Sequence, residues 1–286
     1  MSDYKGRVAV ITGAASGIGK GYALRCAQLG MKLALSDIDK DNLDKLEKEL
    51  KGNNVEVLTS AFDVSKDEDF KKFAQKTIEK YAAVDLLFNN AGVSVPGTIW
   101  AMTAQDWKWT MDVNVLGVVN GIRHFVPFMI EQDRDSCIVN TASVAALLPA
   151  FNAPIYTASK HAVAGLTEVL NFQLQTAGAK VRAFLLCPGY VATDLHNCLE
   201  KRPQEYADDG VYKNSEDFKE RHGLMAGYLA NGIPVETLVD LVFQSMEDDT
   251  FYILSDKSFL PLIEKRAANM VKGRRPRSPG HYKQNK

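Results

Sequence analysis

The chain has 286 residues, 46% of them apolar, which is enough to fill the core of a large α/β domain and too many for a disordered chain. Lys plus Arg number 34 against 35 for Asp plus Glu, and a formal charge of −1 gives no electrostatic reason to bind nucleic acid or a membrane surface. The apolar runs are strand length, short of the roughly 18 residues of a membrane helix, and the start MSDYKGRVAVITG lacks a secretory pattern, so a cytoplasmic location is expected.

In chain order, residues 7–12 read as a strand of continuous apolar character and 18–29 as a helix. A second strand covers 31–36, and Leu43, Leu46 and Leu50 recur at helical spacing after it. Strand 55–62, a polar helix ending at Tyr81 and strand 84–88 continue the alternation. Residues 103–130 read as one long helix whose last turn Pro127 is expected to disturb. Strand 137–141, helix 155–176, strand 181–187 and a last strand at 251–254 complete the series. Apolar strands without period-two alternation are buried on both faces, and strands separated by helices pair in parallel through right-handed crossovers. The expectation is one domain over residues 1–286: a doubly wound parallel sheet with helices on both faces, binding its ligand at the carboxyl ends of the strands.

Two stretches break the alternation. Residues 195–233 mix charged and small residues with scattered aromatics and read as a lid. Residues 267–286 end in KGRRPRSPGHYKQNK, a basic tail from about 272 onward that reads as a loosely docked terminus. Cys26, Cys137, Cys187 and Cys198 have no C-x-x-C spacing and the five histidines are scattered, so no metal site is expected.

The first strand runs into TGAASGIG, whose Gly13, Gly17 and Gly19 let backbone approach a pyrophosphate while the next helix offers its free N–H groups. Asp37 ends the second strand about twenty residues on, where a carboxylate accepts from ribose hydroxyls and repels a 2′-phosphate. NAD is therefore favoured, with NADP left open because Lys20 and Lys40 are near in sequence. Tyr156 and Lys160, in IYTASK, are i and i+4 on one helix face. A phenol titrates near pH 10, and a neighbouring ammonium is expected to lower that value toward the working range of a general acid–base. Ser143, thirteen residues earlier, can donate to a substrate oxygen as charge develops there.

These elements together resemble the short-chain dehydrogenase/reductase family, which implies a Rossmann-type sheet and NAD(P)-dependent exchange of a hydride between a secondary alcohol and a ketone. TGAASGIG is similar to the family's T-G-x-x-x-G-x-G loop, NNAG (Asn89–Gly92) to its element after the fourth strand, and VNVLG carries Asn114 at the family's catalytic asparagine. The resemblance runs from about Arg7 to Thr193 and implies a catalytic tetrad of Asn114, Ser143, Tyr156 and Lys160. It also implies cofactor contacts from Gly13, Ser16, Gly17, Ile18, Gly19 and Asp37 at the first two loops. Further contacts fall to Asp63 and Val64 in FDV and to Asn90, Ala91 and Gly92, besides Tyr156 and Lys160. Pro188, Gly189, Val191 and Thr193, in PGYVAT, are similar to the segment that holds the nicotinamide carboxamide. By the same likeness, helices 103–130 and 155–176 imply a homodimer or homotetramer.

The substrate surface is expected from Ser143, Tyr156 and Tyr190, with Val95 and Leu148 beside them. The lid would add Leu195, His196, Tyr206, Tyr212, Phe218, Leu224, Met225 and Tyr228. Such a wall suits a bulky apolar alcohol or ketone, a hydroxysteroid, bile acid or terpenoid. A 3-ketoacyl carrier-protein reductase is the alternative enzyme, and a nucleotide-sensing binding protein without turnover is the alternative class.

Overall fold

Strand β1 (Val8–Thr12) is buried along its whole length, and its residues alternate between two cores. Ala9 and Ile11 join one apolar cluster, Val8 and Val10 the other. The computed structural model, which describes residues 3–208 and 210–276, builds a seven-stranded parallel sheet around it. The other strands are β2 (Lys32–Asp37), β3 (Val57–Ala61), β4 (Leu86–Asn89), β5 (Ser136–Thr141), β6 (Val181–Cys187) and β7 (Tyr252–Leu254). Their order is β3-β2-β1-β4-β5-β6-β7. The chain reverses its direction of winding between β1 and β4, and there a parallel sheet opens a crevice for a ligand.

Helices α1 (Gly17–Gln28), α2 (Lys40–Gly52) and α8 (Val235–Glu247) cover one face. Helices α3 (Asp67–Tyr81), α4 (Ala104–Met111), α5 (Gly117–Glu131) and α6 (Pro154–Thr176) cover the other. Phe70, Phe73 and Phe125 pack edge to face between α3 and α5, and Tyr22 of α1 stacks on Phe88 of β4 at 4.1 Å.

Three expectations change. The long helix is not uniform: between α4 and α5 the turn Asp112–Leu116 is a π-helix, and Asn114 sits within it. Pro127, expected to disturb the last turn, lies inside α5, which continues unbroken to Glu131. The lid contains a regular helix, α7 (Glu216–Ala230), started by Ser215, whose hydroxyl accepts from the Phe218 amide. Helix α9 (Leu260–Val271) ends where the basic tail was placed, and residues 277–286 lie outside the described residues. Residues 104–131 form a helix long and apolar enough to cross a membrane, but half of the apolar window is buried inside the fold.

Candidate active site

A cleft of about 370 Å³ runs along the carboxyl ends of the strands. Gly13 and Gly17 line its floor, both in the left-handed backbone region at φ +66° and +49°. A Cβ on Gly19 would overlap the Gly13 carbonyl, so the third glycine is needed for the turn to close onto α1. Ser16 is the N-cap of α1, yet its hydroxyl makes no cap bond and faces the cleft. The first-turn amides of α1 are thus aimed at whatever anion lies on the loop.

The NNAG segment is bolted to this loop. The Thr12 hydroxyl accepts from the amides of Asn90 at 2.9 Å and Ala91 at 3.1 Å, while Asn90 Nδ2 donates to the Thr12 carbonyl at 3.1 Å. Beneath it Asn89 donates to Asn140 at 2.8 Å, and Asn140 to Thr167 at 3.0 Å. These buried bonds fix β4 against β5 and α6, and with them the two loops that frame the cleft.

Asp37 ends β2 with both oxygens engaged, accepting from the Ala15 amide at 2.9 Å and the Asp39 amide at 2.8 Å. Burial raises its carboxyl above the ordinary value, and the two amides oppose that shift. Asp63 accepts from the Ser65 amide through Oδ1 at 2.9 Å. Its Oδ2 is buried without a partner, the arrangement that an adenine amino group would complete. The glycine cradle, the open amides and this orphaned acceptor fit an adenine dinucleotide.

Lys160 is buried, and its ammonium donates to the Thr141 carbonyl at 2.8 Å. It stands 5.4 Å from the centre of the Tyr156 ring. The Ser143 hydroxyl sits near enough to the Tyr156 phenol to lower its pKa, accepts from the Ala145 amide at 3.1 Å and lies 3.4 Å from the Pro188 carbonyl. The side chain of Asn114 clamps the next loop, accepting from the Val93 amide at 2.8 Å and donating to the Val93 carbonyl at 2.9 Å. The same Nδ2 lies 2.9 Å from Ser159 Oγ, so the π-turn is tied to α6 one residue from Lys160.

The electrostatics depart from the expected ones. Burial pushes the Tyr156 phenol up to about 12, although Ser143 lowers it. Burial also brings Lys160 down to about 8. Within the protein alone, desolvation outweighs the help Lys160 was expected to give.

The family model described as short chain dehydrogenase matches residues 7–204. The chain belongs to the short-chain dehydrogenase/reductase family. It is 38% identical over 272 residues to a CLA biosynthesis dehydrogenase/reductase of Lactiplantibacillus plantarum, covering 95% of each. A 3-oxoacyl-[acyl-carrier-protein] reductase of Thermotoga maritima is 36% identical over 71% of this chain and 81% of its own. A short chain dehydrogenase/reductase of Burkholderia phymatum, solved in complex with NAD, superposes with a TM-score of 0.94 at 37% identity, covering 98% of this chain and 99% of that one. The chain is thus an oxidoreductase of this family.

Most of the expected site residues meet in the cleft. Besides those above, Ile18, Val64, Gly92, Pro188, Gly189, Val191 and Thr193 line it. Gly19, Asn114 and Ser143 are not among the residues that line it, although each adjoins one that does. Tyr190 is not brought there: it is half exposed and stacks on Tyr228 with centroids 4.8 Å apart. Of the expected lid residues, Leu195 alone lines the cleft, while Tyr206 and Phe218 are buried in the second core. Val95 is also core, and His196 lines a separate hollow under α7. The sequence reading missed Phe62, Val113, Cys198, Lys201 and Leu229 as cleft residues. Phe62 and Val113 adjoin recognised motif residues, which was a usable signal; the three lid residues carry none.

Proposed function

We propose that this oxidoreductase exchanges a hydride between NAD and a secondary alcohol or ketone, with Tyr156 giving or taking the proton on the substrate oxygen. The observation that carries this is the Tyr156 ring with the Lys160 ammonium 5.4 Å from its centre, both lining a cleft that also holds Asp37 and Asp63. The nicotinamide, when bound, supplies or accepts the hydride. The chain's own part is to hold and neutralise charge. Ser143 donates to the substrate oxygen, and Tyr156 moves the proton. Lys160 supplies positive charge beside the phenol. Asn114 keeps the π-turn and the loop at Val93 in register with α6.

NAD is preferred to NADP in this reading. Asp37 faces the cleft with its charge held by two amides, and Lys201, the cation beside it, is already paired with Asp39. A 2′-phosphate would meet carboxylates without a free partner.

The substrate class proposed is a bulky apolar alcohol or ketone, such as a hydroxysteroid or bile acid. Support comes from Val93, Leu195, Cys198 and Leu229 on the cleft wall. A carrier-protein thioester fits less well. Lys201, Arg202, Lys213, Lys219 and Arg221 of the lid each pair with an acid, which leaves them poor docking points for an acidic carrier. The protein is proposed to work in the cytoplasm as a homodimer or homotetramer, with no nucleic-acid or membrane partner.

The test is a fluorescence titration with NADH and NADPH, then turnover of hydroxysteroids, other bulky ketones and a 3-oxoacyl thioester. Tyr156→Phe is expected to lower turnover about a thousandfold while NADH affinity stays within about twofold. Turnover at the wild-type rate in that variant rejects the reading.

A further inference from the structure

Three segments frame the adenosine half of the cleft: the loop after β2 with Asp37 and Asp39, the loop after β3 with Asp63 to Lys66, and α4 at Asp106 and Trp109. One short piece of the lid reaches all three. Lys201 pairs with Asp39 on the first. Glu205 pairs with Lys66 at 2.6 Å, and the Tyr206 hydroxyl lies 3.3 Å from Ser65 Oγ on the second. Arg202 pairs with Asp106 at 2.6 Å on the third, its guanidinium 5.3 Å over the Trp109 ring. Glu200 and Lys201 line the same cleft as Asp37, Ile38, Asn42 and Asp63.

We propose that Lys201–Tyr206 is a strap over the adenosine end of the cofactor cleft and that the Lys201–Asp39 pair is its latch, setting how fast the dinucleotide leaves. The inference rests on the proposed NAD-dependent reading.

The two sides of the strap differ in kind. The side at α4 is an anchor: the Arg202 side chain is 4% exposed and that of Asp106 2%, and Asp208 adds a second carboxylate at 3.1 Å. Tyr206 is buried and donates to Asp112, the first residue of the π-turn, at 3.0 Å. Losing one member of such a buried set strands the others without solvent, so this side stays shut. The side at β2 is a latch. The Lys201 side chain is 43% exposed, a geometry in which an ion pair is weak and is screened by salt. Burial opposes the charge on Asp39, yet Lys201 and Asn42 hold its carboxyl below the ordinary range, so the latch persists through mild acid. Lys201 also lowers Asp37 against the burial that raises it, which puts the cation within reach of the ribose-reading carboxylate.

The experiment is stopped-flow displacement of NADH from the full-length protein by excess NAD, at low and high salt. Lys201→Ala is expected to release NADH about two- to fivefold faster than wild type at low salt. High salt should bring wild type up to the rate of the variant and change the variant little. Lys201→Arg should restore slow release. Asp39→Asn keeps a cap for α2, and the double variant with Lys201→Ala should release no faster than Lys201→Ala alone. Release that ignores Lys201, or additive effects of the two substitutions, overturns the strap. A chain that binds no NADH removes the functional reading and the strap with it; one that binds NADH with release blind to Lys201 removes the strap alone.

Discussion

Lys160 lies 5.4 Å from the centre of the Tyr156 ring, but its ammonium gives its hydrogen bond to the Thr141 carbonyl and not to the phenol. The cation therefore acts on Tyr156 through its field alone, and burial of the phenol prevails, pushing it up to about 12. The two directions of the reaction should then depend differently on pH. Ketone reduction needs the protonated phenol, which is present throughout the neutral range, so its kcat/KM should be flat from about pH 6 to 8. Alcohol oxidation needs the phenolate, whose fraction grows about tenfold per pH unit below its pKa, so oxidation should climb steadily through pH 9. Initial rates in both directions decide this. The pH at which oxidation levels off measures how far the positive nicotinamide brings the phenol down.

Lys160 makes a second, separable prediction about stability. Its folded-state pKa is about 8, below the ordinary 10.5, so the unfolded chain binds the proton more readily. Stability from this group is absent below pH 8, grows as pH rises from 8 toward 10.5, and is full above that. Lys160→Met should remove a burial penalty of about 3 kcal/mol at pH 7 and lose about 1 kcal/mol of hydrogen bonding to Thr141. The variant is expected to melt higher than wild type at pH 7 and no higher at pH 10.5, while losing most turnover. Equal shifts in Tm at both pH values would falsify the buried-ammonium account.

Gly19 is a position where a single methyl group decides cofactor binding. A Cβ there has no space against the Gly13 carbonyl, and backbone cannot swing away as a long side chain can. Gly19→Ala should force the phosphate loop off α1 and weaken NADH binding at least about tenfold, with circular dichroism unchanged. Tight NADH binding by a folded Gly19→Ala protein would show that the loop does not grip the pyrophosphate.

How much of this was legible in the sequence follows from where the information is local. The strands from β1 to β6 and the grouping of Asn114, Ser143, Tyr156 and Lys160 were legible because each strand is a run of buried apolar residues and each motif is a short spaced pattern. The π-turn at Asp112–Leu116 was not, because its bonding is set by partners far along the chain, Val93 and Ser159, that hold Asn114. Tyr206 and Phe218 look like substrate-facing aromatics in sequence, but a lid this long needs its own anchors in the core, and they supply them. The raised phenol of Tyr156 is likewise a property of burial, which spacing does not reveal. Helices α8 and α9 lie beyond the motifs that carried the resemblance, and the reading passed over them.

The outer faces of α5 and α6 carry the last prediction. Leu116, beside α5, and Ile130 within it are exposed, as are Val169 and Phe172 on α6, the last at 61%. Positions 165, 169, 172 and 176 are exposed at helical spacing, so α6 presents one continuous face of Gly165, Val169, Phe172 and Thr176. Exposed apolar residues ordered on two adjacent helices mark an interaction surface more often than a solvated one. A second copy of the chain meeting it across a two-fold axis would bury α5 and α6 against their counterparts. Phe172→Glu with Val169→Lys should therefore shift the particle measured by light scattering from dimer or tetramer toward monomer. A wild-type protein that is already monomeric at micromolar concentration would leave these side chains without an oligomeric role.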